Sequence, residues 1–525
     1  MIAPRRITWL LGLASVLGAS CGPAARPQPQ PRATTETTEV EIERVDPNST
    51  EGQPRARQSP PAPGPAREVS FPPVERFELP NGLEVLNVRY TALPIAYALL
   101  VIKSGRANDP AERPGLAAFV SSMLKEGTRS RTSAQIAEQI EYLGGELSTW
   151  AETEASYAMV RSLSDQLPIA FELMADVVLR PAFPQTEIDK LRRRELDRLA
   201  LQQNDPEFLA TSHFYRAIYG AHPYAYIDAT PEATRRFIRS GLFGYHRTHY
   251  VPNNATLIVV GALDLPAVRT LVERQFGGWT RGRAPEPTYP PIADVTSRRV
   301  IIVDRPTSVQ TEIRIGRPGI RRADAQWIPL SVANQVLGGS AASRLFMDLR
   351  ERRSLTYGAY SRSSAAVDRG VYRSGAAVRT EVTGQALEAF FENLARMSTE
   401  TPPDDEVADA RRYLSDSFPL RIDTPGRIAT HLAELRVFGL PDDYWSTYRA
   451  RIGAVTPQQA REAIEALVRP DHQIVVLCGR ASAIENDARR WGPVTVLDMQ
   501  GNVVRQLEAV SGAAPAASPE AAGSP

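Results

Sequence analysis

Residues 77–90 read FELPNGLEVLNVRY and carry a clear local signal for the fold of this chain. Apolar and polar side chains alternate along the stretch, as they do in a strand with one buried face. Asn81-Gly82 interrupts the alternation, and Asn-Gly is a dipeptide that favours a tight turn. The stretch therefore predicts an alternating β-strand broken by a turn.

The same succession of elements recurs later in the chain. Residues 255–279, ATLIVVGALDLPAVRTLVERQFGGW, predict a buried strand, a turn and a helix. Residues 298–319, RRVIIVDRPTSVQTEIRIGRPG, open a second half, and residues 472–493, HQIVVLCGRASAIENDARRWGP, close it in the same order. We interpret this order as an internal repeat of two similar units, each of about 200 residues.

Amphipathic helices are predicted between these strands, at 133–143, 166–179 and 186–203. They do not alternate regularly with the strands, as a doubly wound parallel sheet would require. We therefore expect an α+β fold of two similar units, each a mostly antiparallel sheet covered by helices.

The composition divides the chain into segments. The first folded unit is predicted at 71–283, a Pro-rich linker at 284–298 and the second unit at 299–500. Residues 22–70 and 501–525 are rich in Pro, Ala and polar residues, so we expect a disordered tether and a disordered tail.

The first 21 residues have the pattern of a secretory signal peptide. Arg5 and Arg6 precede an apolar run that is too short to span a bilayer permanently. Small residues lead into Cys21, which resembles a bacterial lipoprotein signal cleaved before a lipid-modified cysteine. Because Gly22 follows instead of an acidic residue, the resemblance implies a periplasmic protein anchored at the outer membrane. An ordinary signal peptide with an unmodified Cys21 is the alternative.

Charge and composition exclude several classes of function. The chain has 61 basic and 60 acidic residues and a net charge of +1, which gives no electrostatic footprint for nucleic acid. Its Gly-Gly pairs lack the spacing of nucleotide-binding loops. The only other cysteine, Cys478, lies in an apolar run and is predicted to be a buried thiol.

Residues 115–128, GLAAFVSSMLKEGT, predict a helix whose polar positions before Lys125 hold only serine. With AHPYA at 221–225 and YVPNNATLIVVG at 250–261, it resembles the insulinase/pitrilysin family of zinc peptidases, the inverzincins, in their processing-peptidase-like branch. The resemblance covers about 430 residues. Active members carry H-x-x-E-H on this helix, where two histidines bind zinc and the glutamate activates water.

In this chain the three motif positions hold Ala118, Ser121 and Ser122. The family's third zinc ligand is a glutamate on a later helix, and Arg198 stands at that position. A one-turn shift of the alignment would place Glu195 there instead. One carboxylate does not make a zinc site, so the resemblance implies that this chain itself binds no metal or cofactor.

The six histidines do not supply the missing ligands. His246 and His249 are the only close pair, and no carboxylate stands beside them. Such a pair is more typical of surface residues than of a zinc site.

The second half contains GGSAASRLFMDLRERRSLTYGAYS at 338–361, which resembles the other functional segment of the family. The resemblance implies that Arg350 and Tyr357 reach a zinc centre across a cavity, where they position substrate and stabilise an oxyanion. A structural role is the alternative, because Arg350 lies near a helix end and Tyr357 in a strand-like run.

A chain without the zinc residues but with this Arg–Tyr pair resembles the non-catalytic subunit of a heterodimeric zinc metallopeptidase. The resemblance implies a partner that carries H-x-x-E-H and the zinc, an unfolded peptide as substrate, and no activity of this chain alone. A lipid-anchored peptide-binding or scaffold protein is the alternative function.

Overall fold

The computed structural model describes residues 69–510 of the 525-residue chain. The predicted signal peptide 1–21, Cys21 included, lies outside the described residues. Most of the predicted tether and residues 511–525 also lie outside them. No helix among the described residues is long and apolar enough to cross a membrane.

Among the described residues, six strands form the first sheet, in the order β1-β2-β6-β3-β5-β4. They are β1 Glu75–Glu78, β2 Glu84–Arg89, β3 Ile95–Ile102, β4 Glu146–Ala151, β5 Ser156–Leu163 and β6 Ala255–Gly261. The strands β1 and β2 pair antiparallel around Asn81-Gly82, so the predicted turn is confirmed. Gly82 has a φ of 87°, which favours glycine.

Seven strands in the described part of the chain form the second sheet, in the order β13-β12-β7-β11-β8-β10-β9. They are β7 Arg299–Asp304, β8 Gln310–Pro318, β9 Tyr360–Ser363, β10 Val371–Arg379, β11 Ile474–Gly479, β12 Val494–Leu497 and β13 Val503–Leu507.

The two sheets repeat one topology. The order β2-β6-β3-β5-β4 of the first sheet corresponds to β7-β11-β8-β10-β9 of the second. In each set only the first pair is parallel, and the remaining pairs are antiparallel. The predicted fold class and internal repeat are therefore confirmed.

The second sheet extends further along the chain than the sequence analysis predicted. Val503–Leu507 form β13, which pairs antiparallel with β12. A disordered tail starting at residue 501 is therefore wrong for these residues. Three of the five side chains of this edge strand are exposed, so the strand lacks the pattern of a half-buried one.

Helices cover the sheets. In the first half they are α1 Leu116–Met123, α2 Ser133–Tyr142, α3 Leu167–Leu179, α4 Gln185–Gln202, α5 Pro206–Tyr219, α6 Pro231–Arg235, α7 Arg239–His249 and α8 Leu265–Phe276. In the second half they are α9 Trp327–Leu337, α10 Arg344–Phe346, α11 Thr383–Thr399, α12 Asp404–Asp416, α13 Pro425–Val437, α14 Tyr444–Gly453, α15 Pro457–Val468 and α16 Ala481–Arg489. The predicted linker, 284–298, contains neither a helix nor a strand.

The two halves exchange helices. Helix α5 of the first half packs on β8 and β11 of the second sheet, and α13 of the second half packs on β3 and β6 of the first. Both helices start at a capping side chain followed by proline, Asp205-Pro206 and Thr424-Pro425. Buried residues of both sheets consequently share one hydrophobic cluster.

Candidate functional site

Helix α1 starts at a tightly constrained glycine. Gly115 has a φ of 93°, and a Cβ there would lie 2.3 Å from the Cβ of Ala229, so only glycine fits. The carboxylate of Asp109 accepts hydrogen bonds from the backbone N–H of Gly115 at 2.7 Å and of Ala117 at 2.8 Å. These bonds satisfy donors that the first turn of a helix leaves free.

The apolar face of this helix is buried, as predicted. The buried side chains are Leu116, Phe119, Val120, Met123 and Leu124. The ring of Phe119 packs 5.1 Å from that of Phe237, between ring centroids. The helix therefore persists for its packing, whatever its motif positions hold.

The motif positions themselves differ in exposure. Ser121, at the position of the family's catalytic glutamate, is fully buried. Its hydroxyl and that of Tyr250 are hydrogen-bonded at 3.1 Å. Ala118 and Ser122 are half-buried. The Tyr250 side chain therefore closes off Ser121, whereas Ala118 and Ser122 stay partly accessible.

The third ligand position is occupied by an ion-pair network. The guanidinium of Arg198 donates to both oxygens of Asp228, at 2.7 and 2.9 Å, and to Glu195 at 2.8 Å. The hydrogen bonds with Asp228 raise the pKa of Arg198. Glu195, the alternative third ligand, is thus already paired with the residue one turn away.

The two neighbouring histidines are structural. His246 donates from Nε2 to the carbonyl of Val178 at 2.7 Å, and Nδ1 of His249 lies 3.0 Å from the hydroxyl of Ser104. Burial lowers the pKa of both to about 4. The prediction that they are surface residues is wrong, because His249 is buried and the half-buried His246 is hydrogen-bonded to the Val178 carbonyl of α3.

The donor set at the motif does not fit a zinc ion. Ala118 has no ligand atom, the Ser121 hydroxyl is bonded to Tyr250, and Glu195 is neutralised by Arg198. Within residues 69–510, no group of three or more His, Cys, Asp or Glu side chains is placed to hold a metal.

The Arg–Tyr segment of the second half is exposed to solvent, in contrast to the closed zinc-motif positions of α1. Tyr357 exposes 90% of its surface, and the side chain of Arg350 exposes 47%. The guanidinium of Arg350 lies over the ring of Phe346 and 3.4 Å from Glu351. Arg350 lies in the helical segment Met347–Arg352 and Tyr357 in the bend that follows it, and no hydrogen bond joins their side chains. Residues 347–357 are called the positioning turn below.

The backbone between these two residues is unusual. Residues Met347–Arg352 form a π-helical turn. Such turns are rare in proteins, and many of those known lie at functional sites. Ser354 follows with a φ of 51°, a left-handed conformation that costs a non-glycine residue free energy. Thr356 then anchors the turn, because its hydroxyl donates to the carbonyl of Ala377 at 2.7 Å.

Neighbouring arginines are held differently from Arg350. Arg352 and Arg353 pair with the buried carboxylate of Asp348, at 3.5 and 3.1 Å. Asn393 donates to the other oxygen of Asp348 at 2.7 Å. This network fixes the turn while Arg350 remains accessible.

Comparison with known proteins places the chain in a family. An uncharacterized zinc protease of Mycobacterium tuberculosis is 30% identical over 326 residues, which are 60% of this chain and 74% of that protein. Residues 85–232 match the model of Insulinase (Peptidase family M16), and residues 238–414 match that of the peptidase M16 inactive domain. The chain belongs to the insulinase family.

Other relatives of this insulinase-family chain agree. An uncharacterized zinc protease of Streptomyces coelicolor is 24% identical over 396 residues, 74% of this chain and 86% of that protein. A peptidase M16 inactive domain from Pseudomonas fluorescens has the same fold, with a TM-score of 0.73 and 26% identity. The match covers 78% of this chain and 98% of that one.

A cavity of about 540 Å³ lies at the N-terminal end of α1. Asp109, Asp228, His249 and Tyr289 line it together with several prolines. The carboxylate of Asp109 is engaged by backbone N–H groups and that of Asp228 by Arg198. This cavity of the insulinase-family fold therefore offers no free carboxylate ligand.

Sequence reasoning missed a second group of polar residues. Arg314, Arg362 and Arg373 line a pocket of about 230 Å³ on the second sheet, next to Gly358. Each arginine lies in a different strand of the second sheet, so spacing along the sequence gave no signal of this group. Only the strand register brings them together.

Proposed function

We propose that this chain is the non-catalytic, substrate-positioning subunit of a heterodimeric zinc metallopeptidase that degrades or processes peptides. The contrast between the two family segments carries the proposal. The zinc-motif positions are filled by Ala118, Ser121 and Ser122, whereas Arg350 and Tyr357 stay exposed on a fixed turn. The match of residues 238–414 to the inactive-domain model supports this division.

In this proposal the chemistry is divided between two subunits. A partner carrying H-x-x-E-H supplies the zinc and the base that activates water. The guanidinium of Arg350 donates to a carbonyl oxygen of the bound peptide and orients it. The hydroxyl of Tyr357 donates to the oxygen that becomes negative as the tetrahedral intermediate forms.

The exposure of Tyr357 supports a role across an interface. A side chain with 90% of its surface accessible contributes little to the stability of its own chain. The fixed backbone on both sides keeps it in one region of space, which is what positioning a donor requires. By the proposal, an unfolded peptide binds between the two subunits.

We further propose that the complex acts outside the cytoplasm. The signal sequence and Cys21 support export and a lipid anchor at the outer membrane, facing the periplasm. The near-neutral net charge gives no support for a nucleic-acid partner.

Reconstitution with the H-x-x-E-H subunit tests the proposal. We expect Arg350→Ala to lower peptide turnover by tens of fold or more, because the bound peptide would lose the donor that orients its carbonyl group for attack. Arg396→Ala is the control, since Arg396 is 51% exposed and also has one exposed acidic partner. Assembly should be unchanged in both variants.

Two results would contradict the proposal. Full turnover with Arg350→Ala would make that residue structural, and turnover by the partner without this chain would make the chain dispensable. Either result would favour a peptide-binding or scaffold protein.

A further inference from the structure

Three arginine side chains share one face of the second sheet. Arg373 on β10 lies directly opposite Arg362 on β9. Arg314 on β8 lies opposite Gly375, two residues from Arg373. Because side chains alternate between the faces of a strand, all three arginines lie on the same face.

Among the described residues, only one of these arginines has an acidic partner. Arg314 pairs with Glu312 at 2.9 Å and with Glu207, from α5 of the other half, at 3.2 Å. The guanidiniums of Arg362 and Arg373 make no hydrogen bond or ion pair with any residue from 69 to 510. The two carboxylates nearby are thus already used.

The opposed pair is unfavourable for the fold itself. Like charges directly across a strand pair are destabilising. Burial, together with the neighbouring guanidiniums of Arg314 and Arg362, lowers the pKa of Arg373. A sequence keeps such a pair at a cost to stability, which is the expected pattern where a ligand supplies the missing negative charge.

The arginines surround an open hollow. The pocket of about 230 Å³ is also lined by Gly358 and Gly375, which have no side chain, and by Ala377, which has only a methyl group, so there is room for a ligand. A Cβ at Gly375 would lie 2.5 Å from the carbonyl of Ile313 and 3.3 Å from Cδ of Arg314. Gly358 directly follows Tyr357, so the hollow adjoins the proposed positioning turn.

The charges select the ligand. Three guanidiniums and two carboxylates line the hollow, which leaves one net positive charge for a single anionic group. The planar forks of Arg362 and Arg373 match a carboxylate, and Glu207 and Glu312 oppose a more highly charged phosphate. We propose that the pocket of Arg314, Arg362 and Arg373 binds a carboxylate of a peptide, either its C-terminus or an acidic side chain.

The inference that the carboxylate belongs to a peptide rests on the proposed function. Binding itself is measured on the full chain without a partner subunit. The probe is a short alanine-rich peptide with a free C-terminus, and isothermal titration calorimetry measures its affinity for the chain. Two further peptides have an amidated C-terminus, one without an acidic residue and one with a single internal glutamate. Comparing the three distinguishes a C-terminal carboxylate from an acidic side chain as the ligand. We expect Arg362→Gln and Arg373→Gln each to weaken binding about tenfold or more.

Arg299→Gln is the matched control, because Arg299 is an exposed arginine on β7 of the same sheet outside the pocket. It should leave the affinity unchanged. Relief of the repulsion should keep the melting temperatures of Arg362→Gln and Arg373→Gln at or above that of the parent chain. Weaker binding then cannot be attributed to unfolding.

Unchanged affinity in both pocket variants would overturn the inference, as would competition by inorganic phosphate equal to that by acetate. Neither result depends on a catalytic partner. Conversely, loss of the partner in cells would refute the proposed function and leave this binding measurement intact.

Discussion

At the residue scale, Tyr357 combines 90% exposure with a fixed backbone, and its hydroxyl makes no hydrogen bond with the described residues 69–510. We expect Tyr357→Phe to lower turnover of the reconstituted complex by tens of fold, with the melting temperature unchanged. Tyr142→Phe is the control, because Tyr142 is also 90% exposed but lies in the other half. An equal effect of both substitutions, or none of either, would contradict the role of Tyr357.

Some residues of the candidate site could be singled out from the sequence, but their contacts could not. Arg350 and Tyr357 could be singled out because the family segment that they belong to is continuous in sequence, and their role stays a prediction. The burial of Ser121 depends on Tyr250, 129 positions away, and could not be read from the helix itself. The opposition of Arg362 and Arg373 depends in the same way on strand register, which sequence spacing does not fix.

At the scale of the element, helix α1 differs from a zinc-binding helix in its surroundings as well as in its three motif residues. We expect that Ala118→His, Ser121→Glu and Ser122→His together do not restore zinc binding. A glutamate at 121 would be a buried carboxylate without a partner, which destabilises by about 3 kcal/mol or more. Denaturant unfolding and zinc analysis of the purified variant measure the two effects.

Ala118→His alone is the control, because this half-buried position should cost no more than about 1 kcal/mol. Stoichiometric zinc in the triple variant, with unchanged stability, would show that the closed site opens readily. That result would weaken the account of Ser121 and Tyr250.

The positions of the helices could be predicted from the sequence, but the sheets on which they pack could not. The predicted helices at 133–143, 166–179 and 186–203 are α2, α3 and α4, because their apolar periodicity is strong. Nothing local to α5 or α13 shows that each covers the sheet of the other half. That exchange depends on tertiary packing over hundreds of positions.

At the scale of the whole molecule, the exchange of α5 and α13 joins the two halves. We expect the halves to remain associated after cleavage at a protease site inserted after Glu286 in the linker. The buried apolar contacts should hold them together, with Arg436 still paired with Glu84 at 2.9 Å. Size-exclusion chromatography without denaturant measures this, and separation into two peaks would contradict the packing described above.

Buried histidines predict a pH dependence of the whole fold. Burial lowers the pKa of His246, His249 and His431 from 6.5 to about 4. Between these values the three histidines bind more protons in the unfolded chain, so their contribution to the free energy of unfolding falls as pH decreases. The slope is up to about 1.4 kcal/mol per pH unit for each histidine.

Urea unfolding between about pH 7 and about pH 5 measures this slope. His431→Gln should reduce it, because this variant removes one titrating group. Burial raises the pKa of Asp109 to about 7, which opposes the histidines in every variant, so the difference between variant and parent is decisive. A slope that His431→Gln leaves unchanged would contradict the burial of this side chain.

Native mass spectrometry of the chain, gently purified from its own cells, tests the central claim most directly. The account predicts a complex of this chain with a second family member that carries H-x-x-E-H, and zinc that remains with the partner on dissociation. A chain recovered without such a partner, or one that itself holds stoichiometric zinc, would contradict the account.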